Sequence, residues 1–490
     1  MYSRLKLFLN VALCSLLISP AAYSLPIDWN GRFGADTTLI DTYRRVNSDE
    51  ANPDRTSMDP GAAPGGRDNA SWQSYVFNLN PTLIVNDAAS LKAEFSSGYA
   101  HGNALGRSNT QRLGGHYANA LYHYNTSSSD ENVIINQLYA ELYADTATYR
   151  IGRHSAHWGL GAIYNEGNGL WDRHFSMRDG ITLDIKLGNF YFEPYWSKVS
   201  QGKSLTRATN VKEWGLSLLY DNPQRDIAFG MLYGVKKNNF ANDDLTADIG
   251  LDTAVVSTTL GRTNVKMINF YFAKDFNDFD IGVEVPIING ELGNLYDNDR
   301  NTDYKARGVI FESNWRPNNR WTFGFDAGRI SGHDGGQSDF EALYLNPNYQ
   351  VANILFRYNL HAVANDELNI YDSYITNANY YKLRGQYTSN KWTWDLAFIY
   401  AKANEVAREG ADAFQHETNT QITASETNQD DNMGFEVDFG FTYQWNNEIS
   451  VGANMGYLFT GDYFGYTNDS NISNGTKNMY LFQLRAGMTF

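Results

Sequence analysis

Large apolar side chains recur at every second position in run after run of this 490-residue chain. Across residues 27–39, Ile27, Trp29, Phe33 and Leu39 fall on one face, and Asp28, Asn30, Arg32 and Asp36 on the other. A period of two with one apolar and one polar face predicts a β-strand. The pattern returns in Ile181, Leu183, Ile185 and Leu187, in Ile227, Phe229, Met231, Tyr233 and Val235, and in Phe279, Ile281, Val283, Val285 and Ile287. It is clearest near the end, in Phe435, Val437, Phe439, Phe441, Tyr443 and Trp445, then Ile449, Val451, Ala453, Met455, Tyr457 and Phe459. No helical period of comparable strength appears in these segments.

The strands are predicted to join alternately by short turns and long polar segments. Turn formers cluster at residues 86–89, 145–147, 188–189, 222–225, 276–278, 316–319, 389–391 and 446–447. Trp315 and Trp321 bracket one of these turns, Trp392 follows another and Trp445 precedes a third, as an aromatic girdle at a membrane interface requires. Between the hairpins lie Asn-, Asp-, Gly- and Ser-rich stretches at 46–70, 101–132, 154–179, 200–210, 237–262, 289–303, 332–372, 403–432 and 461–477. Eight turns with a first and a last strand make eighteen strands, the even number of a single-chain barrel, and one miscounted hairpin would make it sixteen. Residues 351–363 are apolar enough for a strand, but a strand there would break the parity. They are placed inside the seventh long loop as a short helix or inward-folded segment.

The chain ends on Tyr480, Phe482, Leu484, Ala486, Met488 and Phe490 along one face, with Gln483 and Arg485 on the other. This ending resembles the sorting signal of Gram-negative outer-membrane β-barrels. Closure would set Arg485 and Gln483 on the pore wall beside Arg32 and Asn30. At the other terminus, Arg4 and Lys6 precede a mostly apolar stretch, Leu7 to Ile18, and Ala22, Tyr23 and Ser24 offer a cleavage site. Residues 1–24 read as a secretory signal, too short in its apolar part to span a bilayer, and 25–490 as one barrel domain. The one cysteine, Cys14, lies in that signal, so the mature chain is expected to carry no thiol.

Aromatic residues make up 14% of the chain, with 33 Tyr, 27 Phe and 11 Trp, beside 42 Gly and only 11 Pro. A wall that is lipid-facing on one side and wet on the other accounts for that mixture. The formal charge of −16 becomes −18 when Arg4 and Lys6 leave with the signal, which argues against nucleic-acid binding. The inward series carries Arg32, Glu94, Arg150, Asp184, Glu193, Glu284, Asp326, Lys382, Arg384, Glu436, Asp438 and Arg485, which implies a wet lumen. Acids outnumber bases there, so a mild cation preference is expected.

Residues 153–179 are the most distinctive polar segment, with three His, three Arg, three acids, two Trp and four Gly. In general porins the third loop folds into the barrel and forms the constriction, and this chain resembles them in placing its densest charge at that loop. Arg153, His154, His157, Glu166, Asp172, Arg173, Arg178 and Asp179 are therefore candidates to line a narrow zone, together with Arg32, Arg150, Lys382, Arg384, Glu436, Asp438 and Arg485 on the wall.

His154 and His157 are too few for a zinc site, and residues 297–303 lack the Gly and Glu of a calcium loop, with Thr302 and Gly308 standing there instead. No metal or cofactor is expected. No Gly-x-Ser-x-Gly elbow occurs, and no enzyme is predicted. The resemblance to porin-like and alginate-export-type barrels implies an all-β, antiparallel up-and-down transmembrane barrel in the outer membrane, carrying small hydrophilic solutes by passive diffusion. Its implied partners are outer-membrane lipid and lipopolysaccharide, the barrel-assembly machinery through the strand ending at Phe490, and the solutes themselves. The alternative is a surface-binding, adhesin-like or structural barrel with a closed lumen.

Overall fold

The computed structural model describes residues 26–46, 68–97, 134–200, 211–237, 263–293, 296, 300–364, 370–470 and 474–490. The expected signal and large parts of several long loops lie outside the described residues.

A strand with an apolar edge-to-edge face on one side and charges on the other is stable only where the two faces meet different media. Eighteen such strands solve the problem by closing on themselves, which also leaves no edge unpaired. They run from Ile27–Asp41 to Met479–Thr489, each antiparallel to the next. The last pairs with the first through Asp36 opposite Arg485 and Thr38 opposite Gln483. Arg485 and Gln483 thus stand further along the first strand than Arg32 and Asn30, the neighbours the sequence suggested. All eight short turns occur. The one expected at 316–319 moves to residues 319–320, because the strand Asp303–Asn318 continues through Arg316 before Trp321–Ile330 begins.

The outer face bears the apolar series. Trp29, Phe33, Leu39, Phe229, Trp321, Phe398, Phe439 and Phe459 are all exposed. Among the described residues no helix is long and apolar enough to cross a membrane, and crossing belongs to the strands. For eighteen strands spaced ~4.8 Å apart and tilted roughly 40°, the backbone cylinder is about 35 Å wide. Wall side chains alone do not fill such a width.

Much of the interior is filled by the third and seventh long loops. Inward-facing Ile40, Ile288, Ile310, Ile330, Ile399 and Leu458 are buried in one apolar cluster with Ile163 and Tyr164 of the third loop and Leu343, Leu345 and Ile354 of the seventh. The inward face is therefore not charged throughout, and part of the lumen is taken up by apolar packing. Isoleucine and leucine at inward positions, scattered among charges, give the loops an apolar seat. Residues 351–363 lie in the seventh loop, mostly buried, and end in the short helix Leu360–Ala364. That inward-folded placement preserves the up-and-down parity.

Candidate functional site

Residues 156–176 form the third loop, shorter than the sequence suggested, since Arg153 to Ser155 and Met177 to Asp179 belong to the strands Ala147–Ser155 and Met177–Leu187. Its stem is closed by Ala156 N donating to Ser176 O at 2.8 Å and Ser176 N to Asn165 O at 2.8 Å. Beyond the stem it turns sharply through Gly159 and Gly161, at φ of 59° and 77°. Glycine adopts that left-handed region without penalty.

One end of the loop meets the strands Ile227–Lys237 and Phe279–Glu291. The N–H groups of Leu160 and Ala162 donate to Glu284 Oε2 at 2.8 and 3.3 Å, while Asn269 Nδ2 donates to Oε1 at 2.7 Å. The Trp158 and Leu160 side chains occupy the space a side chain would need at Gly230 and Gly282. The other end meets the first, second and last strands. There Arg32 donates to the carbonyl of Gly169, and Arg173 donates to Asp36 at 3.1 Å, to Ser74 at 2.8 Å and to the Tyr75 carbonyl at 3.2 Å. Trp171 packs over Gly34 and Leu170 over Gly487. The tenth strand lies half a circumference from the first in an eighteen-strand ring, so this one loop reaches across the barrel.

The seventh loop ties to the third and to other parts of the wall. Asn346 N donates to Ala162 O at 2.7 Å, and Asn348 accepts from Arg173 N at 3.2 Å while donating to His174 O at 2.6 Å. Tyr349 donates to Glu312 at 2.7 Å. The N–H groups of Asn353, Ile354 and Leu355 all donate to the Glu436 carboxylate at 2.7–2.9 Å, and Asn353 N also reaches Asp438 at 3.0 Å. Tyr371 completes the bond set around Asp36, its hydroxyl 2.7 Å from that of Ser74 and accepting from Trp72 Nε1 at 3.0 Å.

Of the residues expected to gather, Arg32, Asp172 and Arg173 stand together where the third loop meets the first strand. Burial pushes the Asp172 carboxyl up, opposed by the Gly169 N–H at 2.8 Å and by Arg32. Arg485 lies over the Trp171 ring, 5.0 Å from its centroid. Glu166 is half-buried and His157 exposed on the same loop. Arg150 and Arg178 belong to a neighbouring inward cluster, with Arg150 bonded to Asp184 at 2.6 Å and to Glu193 at 3.0 Å, and Arg178 bonded to Glu193 and 3.5 Å above the Tyr195 ring.

Across the lumen, Arg384 pairs with Asp326 at 3.0 Å and Lys382 stands opposite that same Asp326. Glu436 and Asp438 engage the seventh loop. Arg153 and Asp179 pair at 2.5 Å but stand two positions along from the exposed Ile151 and Ile181, and so share the outward face of their strands. His154 has one ring nitrogen 2.7 Å from the Thr182 hydroxyl and the other 3.3 Å from the Gly152 carbonyl. Among the described residues no group of three or more His, Cys, Asp or Glu is arranged to hold a metal.

Sequence reasoning passed over Asp36, Glu284, Asn346, Asn348, Tyr349, Asn353 and Tyr371 as site residues. Asp36 and Glu284 were legible as inward-facing from the alternation. The loop Asn and Tyr residues carried no signal beyond polarity.

The fold and this interior define an integral β-barrel of the outer-membrane type, with two of its own loops lodged between its walls. The chain is similar to OpdG (OccK9) of Pseudomonas aeruginosa, at 10% identity over 94% of this chain and 99% of that one, with a TM-score of 0.49. It is also similar to OpdQ of the same organism, at 10% identity, 95% and 97% coverage and a TM-score of 0.46. A loop-deletion mutant of OmpT, an outer membrane protein of Vibrio cholerae, matches at 10% identity, 95% and 99% coverage and a TM-score of 0.36. No family profile and no curated protein matches the sequence.

Proposed function

We propose that this protein is an outer-membrane porin-like channel for passive diffusion of small hydrophilic solutes, narrowed by its third loop with the seventh loop beside it. The observation that carries this reading is the reach of the third loop from Glu284 on one wall to Arg32 and Asp36 on the opposite one. A loop held at both ends across a wide cylinder leaves solutes only the space alongside it. Glu166, Asp172 and Arg485 would border that space with both signs of charge, a field that orients dipolar solutes as they pass, while the buried Arg32 and Arg173 hold the loop in place.

No energy source enters the mechanism, and solutes move down their gradient. The apolar packing of both loops against Ile310, Ile330 and Ile399 favours the second reading, a closed-lumen barrel that acts through its surface loops. Liposome swelling separates the two. Vesicles carrying the purified protein should swell in solutions of small sugars and amino acids, at rates that fall with solute size. Swelling no faster than in protein-free vesicles for every solute would exclude the channel.

A further inference from the structure

The seventh loop encloses a cavity of its own at the long-loop end of the barrel. Residues 354–360 form one side and residues 372–377 another, while Arg45, Glu417 and the short turn Asp462–Gly465 close the remainder. No residue of the third loop lines it. Its space of about 820 Å³, mouth included, falls within the roughly 300–1,000 Å³ of small-molecule sites. Phe356, Ser373, Tyr374 and Glu417 are half-buried and mark the mouth, and Asn359, Thr376 and Tyr463 are buried.

The walls are held in place by contacts behind them. Arg45 donates to Glu417 Oε2 at 2.8 Å, and its guanidinium lies 3.9 Å above the Phe464 ring. The Tyr463 ring stands perpendicular to that of Phe464 at 5.2 Å, Tyr358 packs edge-on against Trp72 at 5.3 Å, and Tyr374 does so against Tyr344 at 5.8 Å. Arg45 and Phe356 both sit at φ of 64°, a left-handed conformation that bulky side chains rarely adopt. Such strain persists only where the surroundings fix it, and it gathers at binding sites.

Most polar groups of the lining are already engaged. His416 accepts the His333 N–H at 2.8 Å through Nε2, and its Nδ1 lies 3.2 Å from the Asn377 amide. Arg45 holds Glu417, and Asp372 accepts from the Tyr374 hydroxyl. Two neutral groups are left over. The buried Thr376 hydroxyl has no hydrogen-bond partner. Asn359 gives its Oδ1 to the Ala362 N–H at 3.1 Å, and its amide N–H groups meet no acceptor among the described residues.

This balance selects among guests. An anion would face two carboxylates and one guanidinium that Glu417 already holds. Among the described residues no cluster is arranged for a metal. A wholly apolar guest would leave Thr376 and Asn359 desolvated without partners, at a cost that a guest with hydroxyls avoids. We propose that this cavity binds a neutral monosaccharide. The C–H face of its ring lies on Phe356, Tyr358 and Tyr463, and its hydroxyls meet the Thr376 hydroxyl and the Asn359 amide. The assignment concerns the loops and holds whether or not the lumen conducts.

The test is saturation-transfer NMR on the full chain in a zwitterionic detergent that carries no sugar. Glucose, galactose and mannose are titrated in turn, beside cyclohexanol and choline. At least one hexose should bind saturably and more tightly than either control. The doubly substituted Thr376→Val, Asn359→Asp protein keeps the acceptor for the Ala362 N–H and should bind that hexose about tenfold more weakly, the loss of two neutral hydrogen bonds. Thr376→Ser keeps the hydroxyl and should bind as the parent chain does. Both variants should retain the unheated gel mobility of a folded barrel. Absence of saturable binding by every hexose would overturn the proposal, as would tighter binding of cyclohexanol or choline. Equal affinity in the doubly substituted protein would overturn it as well.

Discussion

Glu284 and Glu436 each spend their carboxylate on peptide N–H groups of a loop more than eighty positions away in sequence. Neither is a simple lumen charge, because a carboxylate that accepts from several amides fixes the backbone that donates them. Truncating either to Ala would leave two or three buried amides unpaired, at about 1–3 kcal/mol for each lost partner. The expected result for Glu284→Ala is faster amide exchange over residues 159–163, and for Glu436→Ala over 352–356. Unchanged protection in both would show that apolar packing alone holds the loops.

The loop histidines give a second prediction. Burial pulls the His174 and His333 imidazoles down to about 4, and His416 to about 3. His416 Nε2 accepts the His333 N–H at 2.8 Å, which requires the unprotonated ring. An exposed imidazole takes its proton near pH 6.5. Their contribution to loop docking is therefore complete above about pH 6.5, and is lost as the pH falls from there toward 4, where the released state binds more protons. Protease cleavage within residues 331–377 should be flat between pH 8 and 7 and rise through the window below 6.5. A flat profile down to pH 4.5 would contradict it.

Elements were legible in the sequence where a face is imposed by the medium. The period of two in residues 435–445 and 449–459 exists because lipid lies on one side, and it located both strands. Parity then placed residues 351–363 inside a loop although they are as apolar as a strand. The docking of the third loop was not legible in the same way. It depends on gaps at Gly34, Gly282 and Gly487 that receive Trp171, Leu160 and Leu170, and a lone strand glycine has many readings. Its candidates divided accordingly. Arg32 and Arg173 reached the site, while the pair Arg153 and Asp179, three residues outside the loop at either end, kept the outward parity of its strands.

Removing residues 159–168 cuts the arm that meets Glu284 and leaves the wall strands intact. Single-channel conductance should rise clearly above that of the full chain, and equal conductance would show that the third loop does not narrow the passage.

At the scale of the whole molecule, closure of the last strand on the first sets Arg485 opposite Asp36 and brings the start of the first strand and the end of the last to the short-turn side. The balance of inward charge is acidic, but much of it is engaged. Asp184 and Glu193 are held by arginines, Asp326 by Arg384, and Glu284 and Glu436 by loop amides. A mild preference for cations is expected from the reversal potential across a salt gradient, and a chloride-favouring potential would contradict it.

The central claim is that a continuous aqueous path runs beside the third and seventh loops. Its most direct test is the current through a planar lipid bilayer after addition of the purified full-length protein. The account predicts discrete, reproducible conductance steps that scale with salt concentration and enlarge when residues 159–168 are deleted. Insertion of folded barrels that produces no steps at any salt concentration would contradict it.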